Sequence, residues 1–241
     1  MSQPILTRVS QFWEQPPILG KRCTVSCMGA PNLADDSTDS VYPADNLAIP
    51  TLRVVDHDIA DGTSPVLNKL STPPSDEVTA EIDGATEWLG LAADEILLAA
   101  LGRTIARTIG EGVVAVDVTG ERRWLLHAIP LVCATSQQAS PTEMLGTVHR
   151  TLDAVSAHAR SLPSEIFLNY IGTMPDGTTP MYETPPGLGY ALELRVYRTD
   201  GLLHLDWWYD TSQFDPYTVE ELTEQFPLAL FEMTSDAVAP V

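Results

Sequence analysis

Basic residues are scarce in this chain of 241 residues, which has 13 lysines and arginines against 33 aspartates and glutamates and a formal net charge of −20. No lysine or arginine follows Arg198. A surface this acidic repels phosphate backbones and anionic lipids, so neither nucleic acid nor a membrane is expected as a partner. Solubility alone is the other explanation of the charge, and the sequence leaves that alternative open.

Cysteines and long apolar runs are scarce as well. The chain has three cysteines, and an odd number in a chain of this length argues against a disulfide framework. Cys23 and Cys27 lack a nearby histidine or second cysteine pair, so buried free thiols are preferred over zinc, and no metal or cofactor is expected. No stretch approaches the roughly 18 apolar residues that suggest a membrane span, and residues 1–20 do not form a secretory signal. We therefore expect a cytoplasmic protein without membrane insertion.

The first third of the chain has the composition of an irregular arm. Residues 29–50 and 62–76 are rich in proline, aspartate, serine and asparagine, which predicts loops or linkers. Between them, TLRVVD at residues 51–56 is a short apolar run that favours a strand. We therefore divide the chain into an irregular N-terminal arm, residues 1–75, and a regular lobe, residues 76–236.

The regular lobe has clear helix and strand patterns. Apolar residues at helical spacing predict helices over residues 91–109 and 141–160 and from Pro216 onward, with a kink or break at Pro227. Alternating or β-branched runs predict strands at residues 78–83, 113–118, 125–134, 165–172, 190–199 and 202–210. Asp200-Gly201 indicates a hairpin turn between the last two strands, and Pro130 indicates a broken or edge strand. Strands and helices in this order predict an α/β fold, a two-layer sandwich with a mixed sheet.

Four blocks of the lobe occur in the order found in a known family. They are ADEILLAAL at 93–101, VDVTGERR at 116–123, IFLNYIG at 166–172 and LHLDWWYDTSQFD at 203–215. Together they resemble the second lobe of the condensation domains of nonribosomal peptide synthetases, whose two lobes are each similar to chloramphenicol acetyltransferase. The resemblance implies a chloramphenicol acetyltransferase-like lobe. The terminal segment of a mycobacterial phthiocerol-type polyketide synthase is one specific candidate that resembles this chain.

The catalytic motif of that family, HHxxxDG, has a partial counterpart at residues 56–62, DHDIADG. The resemblance implies that His57 acts as the base or orients the nucleophile, with Asp61 as the aspartate of the motif. A neutral imidazole can accept a proton from an amine or hydroxyl that attacks a thioester. However, too few residues precede the motif to form a first lobe. A solvated acidic loop is therefore preferred, and a calcium loop is the weaker alternative because the distal glutamate is missing.

Asn169 is the third candidate site residue. The resemblance places its counterpart on a strand near the cleft, where a side-chain amide could orient an acyl substrate. The family's histidine in the "GHGR" block has no counterpart at residues 116–123, and HAIP at residues 127–130 stands in place of "VGWFT". These departures indicate a scaffold lobe without the family's catalytic motif.

The preferred hypothesis is a non-catalytic half-module of a polyketide, lipid or nonribosomal peptide assembly line that acts in docking or product offloading. The alternative is a small acyltransferase that acts on thioester-bound acyl groups with His57 as base. An isolated lobe would expose the apolar surface on which a first lobe packs, and large apolar patches are rare on monomers. We therefore expect a partner protein from an acyl assembly line or a second copy of the chain, with a homodimer as the leading expectation.

Overall fold

A computed structural model describes residues 49–59, 64–120, 123–154, 164–178 and 190–238. The chain divides into two units, Met1–Pro43 and Ala44–Val241, and all described residues belong to the second unit. Cys23, Cys27 and the arm before residue 49 therefore lie outside the described residues. The elements of the second unit are β1 (Leu67–Thr72), α1 (Asp76–Leu89), α2 (Ala93–Thr108), β2 (Gly112–Gly120), β3 (Arg123–Cys133), α3 (Pro141–Ala154), β4 (Ile166–Thr173), β5 (Leu192–Thr199), β6 (Leu202–Asp210) and α4 (Pro216–Ser235).

The strands form one six-stranded sheet in the order β1-β6-β5-β4-β2-β3. β4 pairs in parallel with both β2 and β5, whereas the other neighbours are antiparallel. The predicted α/β fold with a mixed sheet is thus confirmed. Pro130 lies in β3 at the edge of the sheet, as expected for a residue that cannot donate a backbone hydrogen bond.

The hydrophobic core lies between the helices and one face of the sheet. The alternate residues Val114, Val116 and Val118 of β2 are buried on this face, as are apolar residues of β4, β5 and β6. Trp207 of β6 meets Phe226 of α4 edge to face, with ring centroids 5.5 Å apart. Helix α2 is buried along nearly its whole length, so it forms the centre of the helical layer.

One predicted strand is wrong, because residues 78–83 lie within α1. Ser75 caps this helix, since its side chain accepts hydrogen bonds from the N–H groups of Glu77 and Val78. The buried residues Val78, Ile82, Ala85 and Leu89 follow helical spacing. The six-residue window over 78–83 is too short to distinguish that spacing from alternation.

The region ahead of the predicted boundary at residue 76 also differs from the prediction. Residues 51–56 do not form a strand, although Val54 is buried and the N–H groups of Thr51 and Leu52 donate to Val113 O. Within the predicted linker 62–76, β1 pairs with β6 at the edge of the sheet. The polar sequence LNKLST suits an edge strand with one exposed face, which is why its composition indicates a loop.

The helix and hairpin signals in the second half of the lobe agree with the structure. Asp200 and Gly201 have φ of 52° and 78°, the left-handed region that a tight hairpin turn requires. Ser140 and Glu143 form a reciprocal capping box at the start of α3. α3 is described as far as Ala154, and residues 155–160 of the predicted helix lie outside the described residues. The predicted break at Pro227 is wrong because α4 continues through it, with Phe226 and Leu230 buried on either side.

Candidate functional site

His57 lies at the surface, beside the start of α4. Its side chain is 56 % exposed, and its Nε2 is 3.7 Å from Asp215 Oδ2. Its backbone N–H donates to Gln213 O, and the neighbouring Asp56 accepts a hydrogen bond from the N–H of Asp215. The segment is therefore tied to the β6–α4 connection by backbone contacts, and the imidazole projects from it into an acidic, solvent-exposed setting. Asp61 lies outside the described residues.

Asn169 lies on β4 as predicted, but both ends of its amide are already engaged. Thr119 Oγ1 of β2 donates to Asn169 Oδ1 at 3.0 Å, and Asn169 Nδ2 donates to Glu193 Oε1 of β5 at 2.9 Å. The amide thus bridges the strands on either side of β4. These contacts hold Asn169 as part of the sheet, whereas His57 contacts the β6–α4 connection. The structure therefore does not bring the two candidate residues together through these bonds.

The sheet face opposite the helices carries a layer of charged residues. Glu193 and Arg195 of β5 are both buried and form an ion pair at 3.0 Å. The Arg195 guanidinium also lies 5.5 Å from the ring centroid of Trp208. Asp206 of β6 accepts a hydrogen bond from Ser71 at 2.6 Å. Buried charges are tolerated when they are paired in this way, so the layer is electrostatically satisfied.

Asp117 of β2 is the most highly coordinated carboxylate on the same face. Its two oxygens accept hydrogen bonds from Ser164 Oγ (2.6 Å), Tyr190 Oη (2.6 Å), the N–H of Ala128 (2.7 Å) and His127 Nδ1 (2.8 Å). Burial would raise the pKa of Asp117, but these hydrogen bonds outweigh it and hold the pKa below the ordinary value. The carboxylate is therefore ionised at neutral pH, and it joins β2, β3 and the segments that precede β4 and β5.

A bulge in β3 turns His127 and Ala128 toward Asp117. The register of β2 with β3 shifts between Val116 and Val118, and Ala128 has a φ of 51°. A non-glycine residue in the left-handed region stores backbone strain, which here aims the Ala128 N–H at the carboxylate. The His127 side chain is 55 % exposed, while the Asp117 side chain is 7 % exposed. A buried carboxylate thus orients an accessible imidazole.

Sequence reasoning does not identify the pair Asp117 and His127. In the sequence, His127 is an ordinary residue near the start of a strand, and Asp117 is part of a buried β-branched run. The one available signal is the aspartate itself, since a charged residue inside a buried strand requires partners. Its partners are 10 to 73 residues away in sequence, so spacing cannot reveal them.

Two cavities lie near these residues and on α1. An apolar groove of about 160 Å³ is lined by Pro50, Leu52, Val54, Val114, Ala115 and Glu165. A larger cavity of about 490 Å³ is lined by residues of α1 and the α1–α2 connection, together with Tyr170, Thr173 and Arg198. Neither His57 nor Asn169 lines either of these two cavities.

Cys133 is a buried free thiol in the described part of the chain. Burial raises its pKa to about 12, so the thiol is protonated at neutral pH and is a poor nucleophile or metal ligand. Among the described residues, no group of three or more histidine, cysteine, aspartate or glutamate side chains is placed to hold a metal ion.

None of the described helices is both long enough and apolar enough to cross a membrane.

Comparison with known proteins finds relatives among assembly-line multienzymes. No family model matches the chain. A subunit of the phenolphthiocerol/phthiocerol polyketide synthase of Mycobacterium tuberculosis is 38 % identical over 221 residues, which cover 72 % of this chain, and the Mycobacterium bovis protein matches equally well. The match spans only 15 % of the length of those subunits.

Solved structures show the same fold at low sequence identity. The epimerization domain of tyrocidine synthetase B aligns with a TM-score of 0.64 at 15 % identity, over 79 % of this chain and 53 % of that one. The X-domain in complex with OxyB from teicoplanin biosynthesis aligns with a TM-score of 0.60 at 13 % identity, over 80 % and 51 %. The condensation domain of the Monacolin K polyketide synthase MokA aligns with a TM-score of 0.52 at 12 % identity, over 84 % and 56 %. The chain therefore corresponds to about half of each of these folds.

Proposed function

Because the chain has a condensation-domain-like fold and is homologous to a segment of a mycobacterial phthiocerol polyketide synthase, we propose that it is a docking and offloading module of an acyl assembly line. In this proposal the HHxxxDG-like segment at residues 56–62 takes no part in the chemistry. The chain is related to condensation-type domains, and the docking role is our extension of that relationship.

The observation that carries the proposal is the position of His57. A base between two lobes needs an enclosed cleft in which the substrate meets it, whereas the His57 side chain is 56 % exposed and faces Asp215. Its backbone is held by Gln213 O at 3.1 Å, which gives the segment a structural role at the start of α4. The alternative of an acyltransferase with His57 as base gains no support from these contacts.

The surface best suited to docking lies on α1, which has five carboxylates and no lysine or arginine. Trp88 is 75 % exposed near the end of this helix, next to the cavity of about 490 Å³ that Asp83 and Glu87 help to line. We call Asp83, Glu87, Trp88 and this cavity the α1 surface. Asp83 is already paired with Arg198 through two hydrogen bonds of 2.9 and 2.5 Å.

A partner that fits the α1 surface has a basic side chain. Its ammonium or guanidinium group would meet Glu87 in the cavity and stack on the face of Trp88, because aromatic rings attract cations. An acidic carrier domain would be repelled by the same surface. The proposed partner is therefore an assembly-line protein with a basic docking segment.

A photo-cross-linking amino acid at position 88 tests this proposal. We expect cross-links from position 88 to an enzyme of the same assembly line, and none from a matched exposed position, 217, where Tyr217 is 72 % exposed. Trp88→Ala should weaken the same association without changing the melting temperature, because the side chain is mostly in solvent. Cross-links between two copies of the chain would instead support a homodimer, and unchanged association of Trp88→Ala would reject the α1 surface.

A further inference from the structure

The environment of His127 differs from that of the other histidines in the described residues. His149 also contacts a buried carboxylate through Nδ1, at 3.2 Å from Glu95, but its Nε2 lies 3.4 Å from Asp153. His204 stacks on Tyr197 with ring centroids 5.0 Å apart. Among the described histidines, His127 is the one that combines a buried carboxylate on Nδ1 with an Nε2 that no described residue contacts.

The protonation pattern of His127 follows from its partner. An ionised carboxylate only accepts hydrogen bonds, so the 2.8 Å contact requires that His127 Nδ1 carries the proton and donates it to Asp117. In the neutral imidazole, Nε2 then has the free lone pair. The same division of roles between a carboxylate and an imidazole prepares the histidine of catalytic triads for proton transfer.

An apolar groove lies close to this pair. Ala115, which lines the groove, is on the same face of β2 as Asp117 and two residues away, which is roughly 6.6 Å along a strand. Glu165 also lines the groove and directly follows Ser164, which donates to Asp117. The remaining lining from Pro50, Leu52 and Val54 is aliphatic, as an acyl chain requires.

We propose that Asp117 and His127 form an acid–base site for cleavage of an acyl thioester, with the acyl chain along the Leu52–Ala115 groove. The substrate class rests on the proposed assembly-line function, whereas the site itself rests on the geometry above. His127 is the proposed catalytic residue, and Asp117 is a positioning residue that fixes its tautomer and stabilises the imidazolium.

The reaction requires no cofactor. His127 Nε2 accepts a proton from water while the water oxygen bonds to the thioester carbonyl carbon. The carbon–sulfur bond then breaks with its electron pair on sulfur, and the imidazolium returns the proton to the thiolate. The products are a carboxylic acid and a free thiol. An alcohol in place of water would give an ester by the same proton transfers.

The test is thiol release from butyryl-S-N-acetylcysteamine by the full 241-residue chain. We expect release above the buffer rate, with a loss of about a hundredfold in His127→Ala, the lower end of the usual contribution of acid–base catalysis. The matched control is His149→Ala, which also removes a histidine from a buried carboxylate and should retain the rate. A wild-type rate equal to buffer, or an undiminished rate in His127→Ala, would overturn the proposal.

The positioning role of Asp117 needs a readout other than rate, because Asp117→Asn can also disturb folding. Nitrogen NMR of His127 should show the Nδ1–H tautomer in the wild-type chain and a mixture in Asp117→Asn. Tyr190→Phe removes one donor and keeps the Asp117–His127 contact, so it should retain that tautomer. Loss of the tautomer preference in neither variant would refute the assigned role. Cross-linking from position 88 is independent of this assay, so docking and thioester cleavage can fail separately.

Discussion

Glu165 holds Val54 against the lobe, with its Oε2 accepting a hydrogen bond of 3.1 Å from the Val54 N–H. The two residues are 111 positions apart, and the contact joins the segment at residues 49–59 to the start of β4. Val54 is 1 % exposed, so this segment contributes to the hydrophobic core.

Replacing Glu165 should loosen this segment selectively. In Glu165→Ala the Val54 N–H loses its acceptor, which costs about 1–3 kcal/mol when the donor stays buried. We expect faster hydrogen exchange at residues 51–56, with little change in β5 and β6. Glu220→Ala, at an exposed position on α4, is the control, and equal exchange in both variants would show that the Glu165 contact does not hold the segment.

Two helical glycines provide a matched pair for helix packing. A Cβ added to Gly102 of α2 would lie 2.6 Å from the backbone O of Val132, so α2 would have to move away from β3. A Cβ added to Gly84 of α1 would meet nothing within 4 Å. Chemical denaturation should show that Gly102→Ala destabilises the lobe, while Gly84→Ala stabilises it by roughly 0.5–1 kcal/mol through helix propensity. Stabilisation by both changes would contradict the close packing of α2 on β3.

Acid should destabilise the lobe through Asp210. Burial would raise the pKa of Asp210, but hydrogen bonds from the N–H groups of Ser212 and Val66 and from the side chains of Ser212 and Gln213 outweigh it and lower the pKa. Because the folded-state pKa is below the unfolded value of about 3.9, the stabilisation is present above that value and is lost as the pH falls through the folded-state pKa. Urea midpoints measured from pH 6 to pH 2 should fall in this window, and less so in Asp210→Asn. An unchanged slope in the variant would exclude Asp210 as a contributor.

The hydrophobic pattern of α2 leads to a prediction of stability. Leu101 is fully buried at the centre of the helical layer, and its replacement by alanine should lower the free energy of unfolding by about 2–5 kcal/mol. Denaturant unfolding measures this directly. A loss below about 0.5 kcal/mol, typical of surface positions, would contradict the central position of α2.

The sequence predicts the central elements of the fold because their patterns are long. The repeat of apolar residues over 91–109 and the β-branched run at 113–118 leave little ambiguity, and both agree with α2 and β2. Short segments are less reliable. Residues 78–83 alternate over six positions but belong to a helix whose start is fixed by Ser75, and β1 is defined by its partner β6 more than by its own composition.

The candidate site is less predictable than the fold. The motif match points to His57 and Asp61, whereas the most highly coordinated carboxylate on the open face of the sheet is Asp117. Its partners His127, Ser164 and Tyr190 come from three other segments. Only the pairing of strands brings these residues together, and one sequence does not encode that pairing in its spacing. Asn169 lies on the predicted strand, but its two hydrogen bonds also depend on that pairing.

The central claim is that this chain serves its assembly line by docking, without catalysis by His57. The most direct measurement is product turnover by the complete multienzyme carrying either His57→Ala or Trp88→Ala, compared with the unaltered protein. We predict unchanged turnover for His57→Ala, because the imidazole is exposed and its side chain faces Asp215, and reduced turnover for Trp88→Ala. A loss of about a hundredfold in His57→Ala with folding intact, together with normal turnover in Trp88→Ala, would contradict the claim and identify His57 as the base.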